Sequence, residues 1–421
     1  MKNIKLFILF IYIFNVILLQ GQKANAIDLS QRLHVGDQFT PPSSVKLMRG
    51  METKINWKAL EDKVVLLDLF ETSCGTCIQI MPHLQELEKK HSDIFKVLVV
   101  TPQDKQTITE FFKKNQYLKE HKVNLSVIYA DNYLRKLFPY KSIPQAILLY
   151  KGKVQAITSS GFVNSENIQK LYKEGEIALP LKDDFGKASL MTYGSMDNVG
   201  IKAGVVFSGY QDGVNYQSWK FEIDSVTGLY RSSTVNSSVY TALLGLISRA
   251  NLLDKFYVPR LDKVIWKVKD STIYHNFSEK PTEVWLVDNA ISYERHDRIQ
   301  RPDSMQVLDI MKDFERLYGV SAYMAKRVMP CLVLKPCPVV LSNQNDKSEK
   351  LTYVGSKVLA GFLDYVNRFP PVVDEVNVDT KILLEGYDTI EHLNKQLEGY
   401  GIRGEIENRE IDVMIVEEVD Q

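Results

Sequence analysis

Four cysteines in 421 residues are too few to staple a chain of this size into a disulfide scaffold. Seven histidines leave little material for a multi-histidine metal centre. Neither sign of charge is in excess. Fifty-two Lys and Arg balance 52 Asp and Glu, which removes the electrostatic footprint of a nucleic-acid binder. Beyond residue 26 no apolar run approaches membrane-spanning length. What remains, 45% hydrophobic and 25% charged, is ordinary globular composition, so wholesale disorder, collagen and a polytopic membrane protein are excluded. At ~150 residues per domain the length implies two or three domains.

The one long apolar run is N-terminal. Lys2 and Lys5 precede residues 6–19, apolar except for Asn15, and Ala24-Asn25-Ala26 then fits the small-x-small cleavage rule. At ~14 residues, or ~21 Å as a helix, the run falls short of a ~30 Å bilayer core. Residues 1–26 therefore read as a signal peptide, with an uncleaved anchor as the alternative. No cysteine follows to carry a lipid. The expected mature chain starts at Ile27 in the periplasm or cell envelope, touching a membrane only through the signal sequence.

From residue 64 to 172, strand and helix patterns alternate. Residues 63–70 (KVVLLDLF) read as a buried strand with one polar residue, Asp68. A helix follows over 74–90, with Ile80, Leu84 and Leu87 on one face and Pro82 as a kink. Strands are expected at 95–100 and 125–129, and helices at 107–115 and 132–138. A hairpin of 145–150 and 154–158 turns at Lys151-Gly152, and a helix over 165–173 is capped by Asn164 or Ser165. This is an α/β layout, a mixed sheet with helices on both faces. The polar stretch 175–186 marks a boundary, with 177–189 as linker. Residues 190–421 form a second, α+β domain. Its expected strands are 204–210, 216–224, 264–268 and 284–287. Its expected helices are 239–251, 304–318, 357–368 and 390–400, and residues 404–419 alternate as a hairpin around Glu407-Asn408. In 304–318, Val307, Leu308, Met311, Phe314 and Leu317 form the apolar stripe, and Gly319 suits the C-cap.

Cys74-Gly75-Thr76-Cys77 opens a helix directly after a buried strand. Such a helix start aims free N–H groups and partial positive charge at the first sulfur, favouring thiolate, while the second cysteine sits one turn in. One attacking thiolate and one resolving thiol are what thiol–disulfide exchange needs. The rivals are half a zinc site and an inert bridge. Zinc lacks a second pair, since Cys331 and Cys337 belong to the other domain and His83 is poorly placed, so no metal is expected. A buried Asp68 would hold its proton and could pass it to or from Cys77; the alternative is an Asp68 facing solvent at the strand's end. Pro144 opens a strand, which is unremarkable by itself.

Several ordered pieces resemble one family. They are Val35-Gly36-Asp37, residues 63–84 (KVVLLDLFETSCGTCIQIMPHL), residues 142–154 (SIPQAILLYKGKV) and Gly161. Together they are similar to the thioredoxin-like proteins of the cell envelope, the TlpA/ResA branch. The resemblance covers about a third of the chain and implies a thioredoxin-like fold over 63–176 with 27–62 as its N-terminal extension. It implies that Cys74 and Cys77 are the active pair and Asp68 the buried acid. Pro82 matches the helix proline and Pro144 the cis-proline, with Ile143, Pro144, Gly75 and Thr76 touching substrate. Ser73 stands where the family usually has Trp, and Thr76 where it often has Pro, which leaves partner contacts and the direction of electron flow open. No cofactor is implied, because electrons pass through proteins with thiols or disulfides and an upstream donor or acceptor. A thiol peroxidase fits less well: it would place Thr three residues before the attacking Cys, where Glu71 stands. An envelope binding or assembly protein with a passive bridge is the non-enzymatic alternative.

The end of the second domain, residues 370–388 and 397–419, resembles a domain of unknown function described from soil bacteria, which implies no chemistry. Cys331 and Cys337 read as two buried or strand-end thiols, a structural disulfide, or a second redox pair. On one continuous strand their Cα atoms would stand ~20 Å apart, too far to bridge. Tyr216, Trp219 and Phe221 on one strand read as core.

Overall fold

The computed structural model describes residues 27–52, 54–186, 202–225, 227–250, 257–340 and 351–419. The signal-peptide reading of 1–26 and residues 187–189 of the expected linker lie outside them. The described residues form two compact units. The first takes those up to 186 together with Asp212–Asn215, and the second takes the rest.

The first unit is a six-stranded mixed sheet in the order β1-β4-β3-β2-β5-β6. Its strands are β1 (Leu47–Met48), β2 (Val64–Leu69), β3 (Phe95–Val100), β4 (Ser126–Ile128), β5 (Gln145–Tyr150) and β6 (Lys153–Thr158). β2, β3 and β4 are parallel; β5 is antiparallel to β2, β6 to β5 and β1 to β4. The helices are α1 (Gly75–Lys90), α2 (Lys105–Lys114), α3 (Gln116–Glu120), α4 (Leu134–Leu137) and α5 (Ser165–Glu174). β2 is covered on both faces, which is why its sequence is continuously apolar. Val64 and Leu66 meet Met81 and Leu84 of α1, Ile108 of α2 and Ile168 of α5. Val65, Leu67 and Leu69 meet Leu134, Phe138 and the extension residues Phe39 and Trp57 on the other side. Each fully buried aliphatic side chain contributes about 1.5–3 kcal/mol.

The β5–β6 turn puts both Lys151 and Gly152 at positive φ, the two-residue geometry that matches strand twist. The extension seals the edge of β6: Gly36 N–H donates to Val154 O at 2.7 Å and Val154 N–H to Asp37 O at 2.9 Å. α5 ends at Gly175, whose φ of 87° a side chain would oppose. The expected linker does not leave the domain there. Ile177 is buried in the first core, Thr158 Oγ1 donates to Pro180 O at 2.6 Å, and Lys182 N–H donates to Ile157 O at 2.9 Å. Polar composition suggested a free segment; its backbone groups and alternate apolar residues instead bind it along the sheet.

The second unit holds a sheet ordered β7-β11-β9-β8, another ordered β10-β16-β12-β14, and the pair β13-β15. Its strands are β7 (Gly204–Ser208), β8 (Gln217–Ile223), β9 (Tyr230–Ser237), β10 (Val264–Lys267), β11 (Ile291–Asp297), β12 (Val320–Pro336), β13 (Leu351–Val354), β14 (Val372–Asp374), β15 (Lys381–Leu384) and β16 (Ile402–Glu418). Its helices are α6 (Val239–Arg249), α7 (Thr282–Asn289), α8 (Asp303–Asp313), α9 (Ser356–Val366) and α10 (Ile390–Leu397). The expected hairpin at 404–419 is instead one strand of 17 residues, paired along its whole length with β12. The ends of this ribbon enter different cores. Val320, Ala322, Met414 and Val416 pack with Leu243, Tyr293 and Phe314, while Leu332, Leu334 and Ile402 pack with Leu359, Leu363 and Leu393.

Residues 284–287, expected as a strand, lie in α7; their valines and tryptophan favour strands, but Trp285 is buried on one side of a helix. α8 stops at Asp313 and continues as one widened turn over Phe314–Tyr318. That geometry puts Val307, Ile310 and Phe314 in the core and leaves Leu308 and Leu317 exposed, unlike the expected stripe. Trp219 and Phe221 pack on the core as expected, and Tyr216 is exposed. Cys331, buried in β12, and half-buried Cys337 just beyond it are free thiols, and burial raises the pKa of both. Asp364 of α9 accepts from Arg260 Nη1 at 2.9 Å and from Lys263 Nζ at 2.5 Å, all three side chains being buried. No described helix is long and apolar enough to cross a membrane.

Candidate active site

β2 carries the chain to the end of the sheet, where Phe70 N–H still bonds Val100 O at 2.9 Å. Residues 71–73 then turn, with Cys74 N–H donating to Glu71 O at 3.0 Å. Cys74 is the N-cap of α1, and its Sγ accepts from the Cys77 N–H at 3.1 Å. The two sulfurs are joined as a disulfide with Cα atoms 5.3 Å apart. Cys74 is half-buried, Cys77 is 0% exposed, and Gly75 and Thr76 between them are exposed. Only the first sulfur is therefore within reach of a macromolecule, and in the dithiol form it sits at the positive end of α1.

Two contacts hold the turn that precedes it. Gln103 Oε1 accepts from Thr72 N–H at 2.8 Å while its Nε2 donates to Thr72 Oγ1 at 2.9 Å. Tyr140 OH donates to Glu71 Oε1 at 3.0 Å. Burial, and then the nearby Glu71 charge, push the Tyr140 phenol well above its usual range, so it stays a donor.

Asp68 is two residues beyond Leu66, so strand alternation turns it to the α1 face, the face that buries Cys77. It is 0% exposed, which removes the solvent-facing alternative. Ser160, in the short turn Ser160–Phe162 after β6, donates from Oγ to Asp68 Oδ1 at 3.0 Å. Asp68 Oδ2 is buried with no partner among the described residues. Burial pushes the carboxyl up to about 7, against a smaller opposing pull from the Ser160 bond. The group can thus take up or release a proton near neutrality.

The Ile143–Pro144 peptide bond is cis and both residues are half-buried. Ile143 packs on the cores of both sheet faces, and Cys74 packs on the first of these. Among the described residues neither the N–H nor the C=O of Ile143 has a hydrogen-bond partner. The sequence singled out Cys74, Cys77, Asp68, Ile143, Pro144, Gly75 and Thr76 and gave no sign of Gln103, Tyr140 and Ser160, whose hydrogen bonds reach the turn before Cys74 and Asp68. Those three lie in loops, where nothing in local composition separates a structural hydroxyl or amide from a solvated one. Among the described residues no group of three or more His, Cys, Asp or Glu could hold a metal ion.

Comparison with known proteins finds no matching curated protein. Solved structures give distant likenesses to about a third of the chain. The C-terminal domain of a candidate thiol-disulfide oxidoreductase from Bacteroides thetaiotaomicron is 20% identical, covering 34% of this chain and 97% of that one, with a TM-score of 0.28. The thioredoxin domain of a thiol-disulfide oxidoreductase from Bacteroides vulgatus is 19% identical over 34% and 99%, with a TM-score of 0.24. The exposed lipoprotein thioredoxin Etrx1 of Streptococcus pneumoniae is 22% identical over 28% and 88%, also at 0.24. Residues 34–134 match the Redoxin family model, and the sheet order, the helices on both faces and the Cys74–Cys77 helix start make the first unit a thioredoxin-like fold.

Proposed function

We propose that this chain is an exported thiol–disulfide oxidoreductase of the TlpA/ResA type. Residues 1–26 act as its signal peptide, the redox module extends from residue 27, and a domain of unknown function follows from about residue 190. One observation carries the reading: a closed Cys74–Cys77 pair with one reachable sulfur at a helix start and a buried, proton-holding acid on the same face of the sheet. In the reducing direction the Cys74 thiolate attacks a partner disulfide and expels one partner thiolate, leaving a mixed disulfide. Cys77, giving its proton to Asp68 in its carboxylate form, attacks Cys74 Sγ and expels the second partner thiolate. The partner gains two electrons, and this chain is left in the disulfide form present in the structure. A partner dithiol runs the same steps backwards. The unpaired backbone of Ile143, together with Pro144, Gly75 and Thr76, receives the partner's chain. An upstream thiol donor or acceptor in the periplasm or cell envelope resets the pair, with no bound cofactor.

A redox titration of the purified chain tests this. An exchange-active pair equilibrates with glutathione or dithiothreitol at moderate potential. A pair that resists reduction to below about −300 mV is a passive bridge, and the protein is then a binding or assembly component.

A further inference from the structure

The segment read from sequence as a linker ends on the loop before Pro144. Asp184 Oδ2 accepts from the backbone N–H groups of Lys141 at 2.5 Å and Ser142 at 2.7 Å. Asp184 Oδ1 accepts from Ser142 Oγ at 3.1 Å and from Lys182 Nζ at 2.9 Å, and the Asn215 amide donates to it as well. Lys182 Nζ also donates to Ser142 O at 2.8 Å and to Gln145 Oε1 at 3.4 Å. The side chains are 0% and 10% exposed for Asp184 and Lys182. The neighbours are tied down too: Asp183 pairs with Arg32 at 2.8 Å, and the Lys141 ammonium sits 4.7 Å from the Phe185 ring centroid.

A buried ion pair is an expensive way to fix a surface loop, because both charges leave water. Here most of its hydrogen bonds go to one loop. They occupy the N–H groups of residues 141 and 142 and the C=O of 142, reach past Ile143 to the Gln145 side chain, and leave the backbone groups of Ile143 itself free. We infer that Lys182 and Asp184 are positioning residues that hold the 141–143 backbone ready as a docking edge, so that the site favours disulfides carried on extended polypeptides over small disulfides. This rests on the oxidoreductase reading. A polypeptide must pair with the edge, and an edge already ordered spares it the entropy of ordering that loop on binding. A small disulfide needs only Cys74.

The test compares reduced full-length protein reacting with insulin, a polypeptide disulfide, and with glutathione disulfide. Asp184→Ala should lower the ratio of the two kcat/KM values about tenfold, through a raised KM for insulin. Asp184→Asn keeps one acceptor oxygen and should fall between, and Ser142→Ala, which loses the hydroxyl's bonds to Asp184 at 3.1 Å and from the Asn215 amide at 3.4 Å but keeps both backbone N–H bonds, should lower the ratio least. An unchanged ratio, or equal losses on both substrates, overturns the clamp. Thermal unfolding checks each variant; if Asp184→Ala does not fold, Asp184→Asn and Ser142→Ala decide by the same ratio. A wild type inert toward both substrates overturns the oxidoreductase reading and this inference with it. An active wild type with an unchanged ratio in the variants overturns the clamp alone.

Discussion

Replacing Asp68 with Asn should make the first unit more stable, by an amount that depends on pH. The carboxyl is fully buried on β2, one oxygen accepts a single hydroxyl bond and the other has no partner among the described residues. Unfolded, the group titrates near an ordinary aspartate value of ~3.9; folded, it titrates at about 7. Between these values the native state holds a proton that the unfolded state has lost, so stability falls as pH rises through this window and levels off above 7. About 3 pH units at 1.36 kcal/mol each give about 4 kcal/mol as an upper bound. Asn keeps an acceptor for Ser160 and has nothing to ionise. The variant and the wild type should therefore match near pH 4 and diverge by up to about 4 kcal/mol near pH 8. Since the chain has two units, amide exchange of β2 and β3 in the oxidised protein reports this one without assuming a single transition. A stability gap that does not change with pH, or that widens toward acid, would refute the assignment of Asp68 as the buried acid. On the proposed mechanism the same variant should also close mixed disulfides more slowly, because Asn cannot take up the Cys77 proton.

Ser160→Ala removes the one bond that favours the Asp68 carboxylate, so the midpoint of that pH dependence should move upward; a midpoint that stays or falls contradicts the geometry. Cys77→Ala should accumulate partner complexes that vanish on reduction, and Cys74→Ala far fewer, read on non-reducing gels; equal trapping would reverse the roles. In the reduced protein, alkylation at mildly acidic pH should label Cys74 before Cys77, as mass spectrometry can show, because only Cys74 is accessible at the helix start. In the second unit, Asp364→Ala leaves Arg260 and Lys263 buried without their shared anion and should cost about 3–5 kcal/mol in urea unfolding; a loss under about 1 kcal/mol would mean that water replaces the carboxylate.

The first unit was legible because its period and its burial agree. β2 reads as one apolar run because both faces are covered, and Asp68 stands out against that run. The Cys74–Cys77 spacing and the Lys151-Gly152 turn are local signals that need no tertiary context. The second unit hides its largest feature. β12 and β16 are buried at both ends in different cores and exposed through the middle, where Lys326, Arg327 and Val328 all face solvent. No single period survives such a change of surroundings, and the charged Glu405–Glu410 region looked like a turn. α7 carries residues with strand preference, and packing of Trp285 overrides them. Ser160, Lys182 and Asp184 act through partners 92, 40 and 42 residues away, a range at which one sequence carries no signal.

The two 17-residue strands of the second unit also set an order of events during synthesis. The sheet of the first unit is complete once Thr158 has emerged, and most of its contacts are already possible with half the chain unmade. The second unit cannot behave this way. Both of its cores take residues from β16, and β10 and β12 each need β16 as a neighbour. Until Glu418 is available, β10 lacks its partner and β12 keeps an open edge of 17 residues. A ribosome that delivers this chain from its N-terminus therefore releases a folded first unit tethered to an incomplete sheet. The vulnerable interval for misassembly is the time taken to deliver the stretch between β12 and the end of β16.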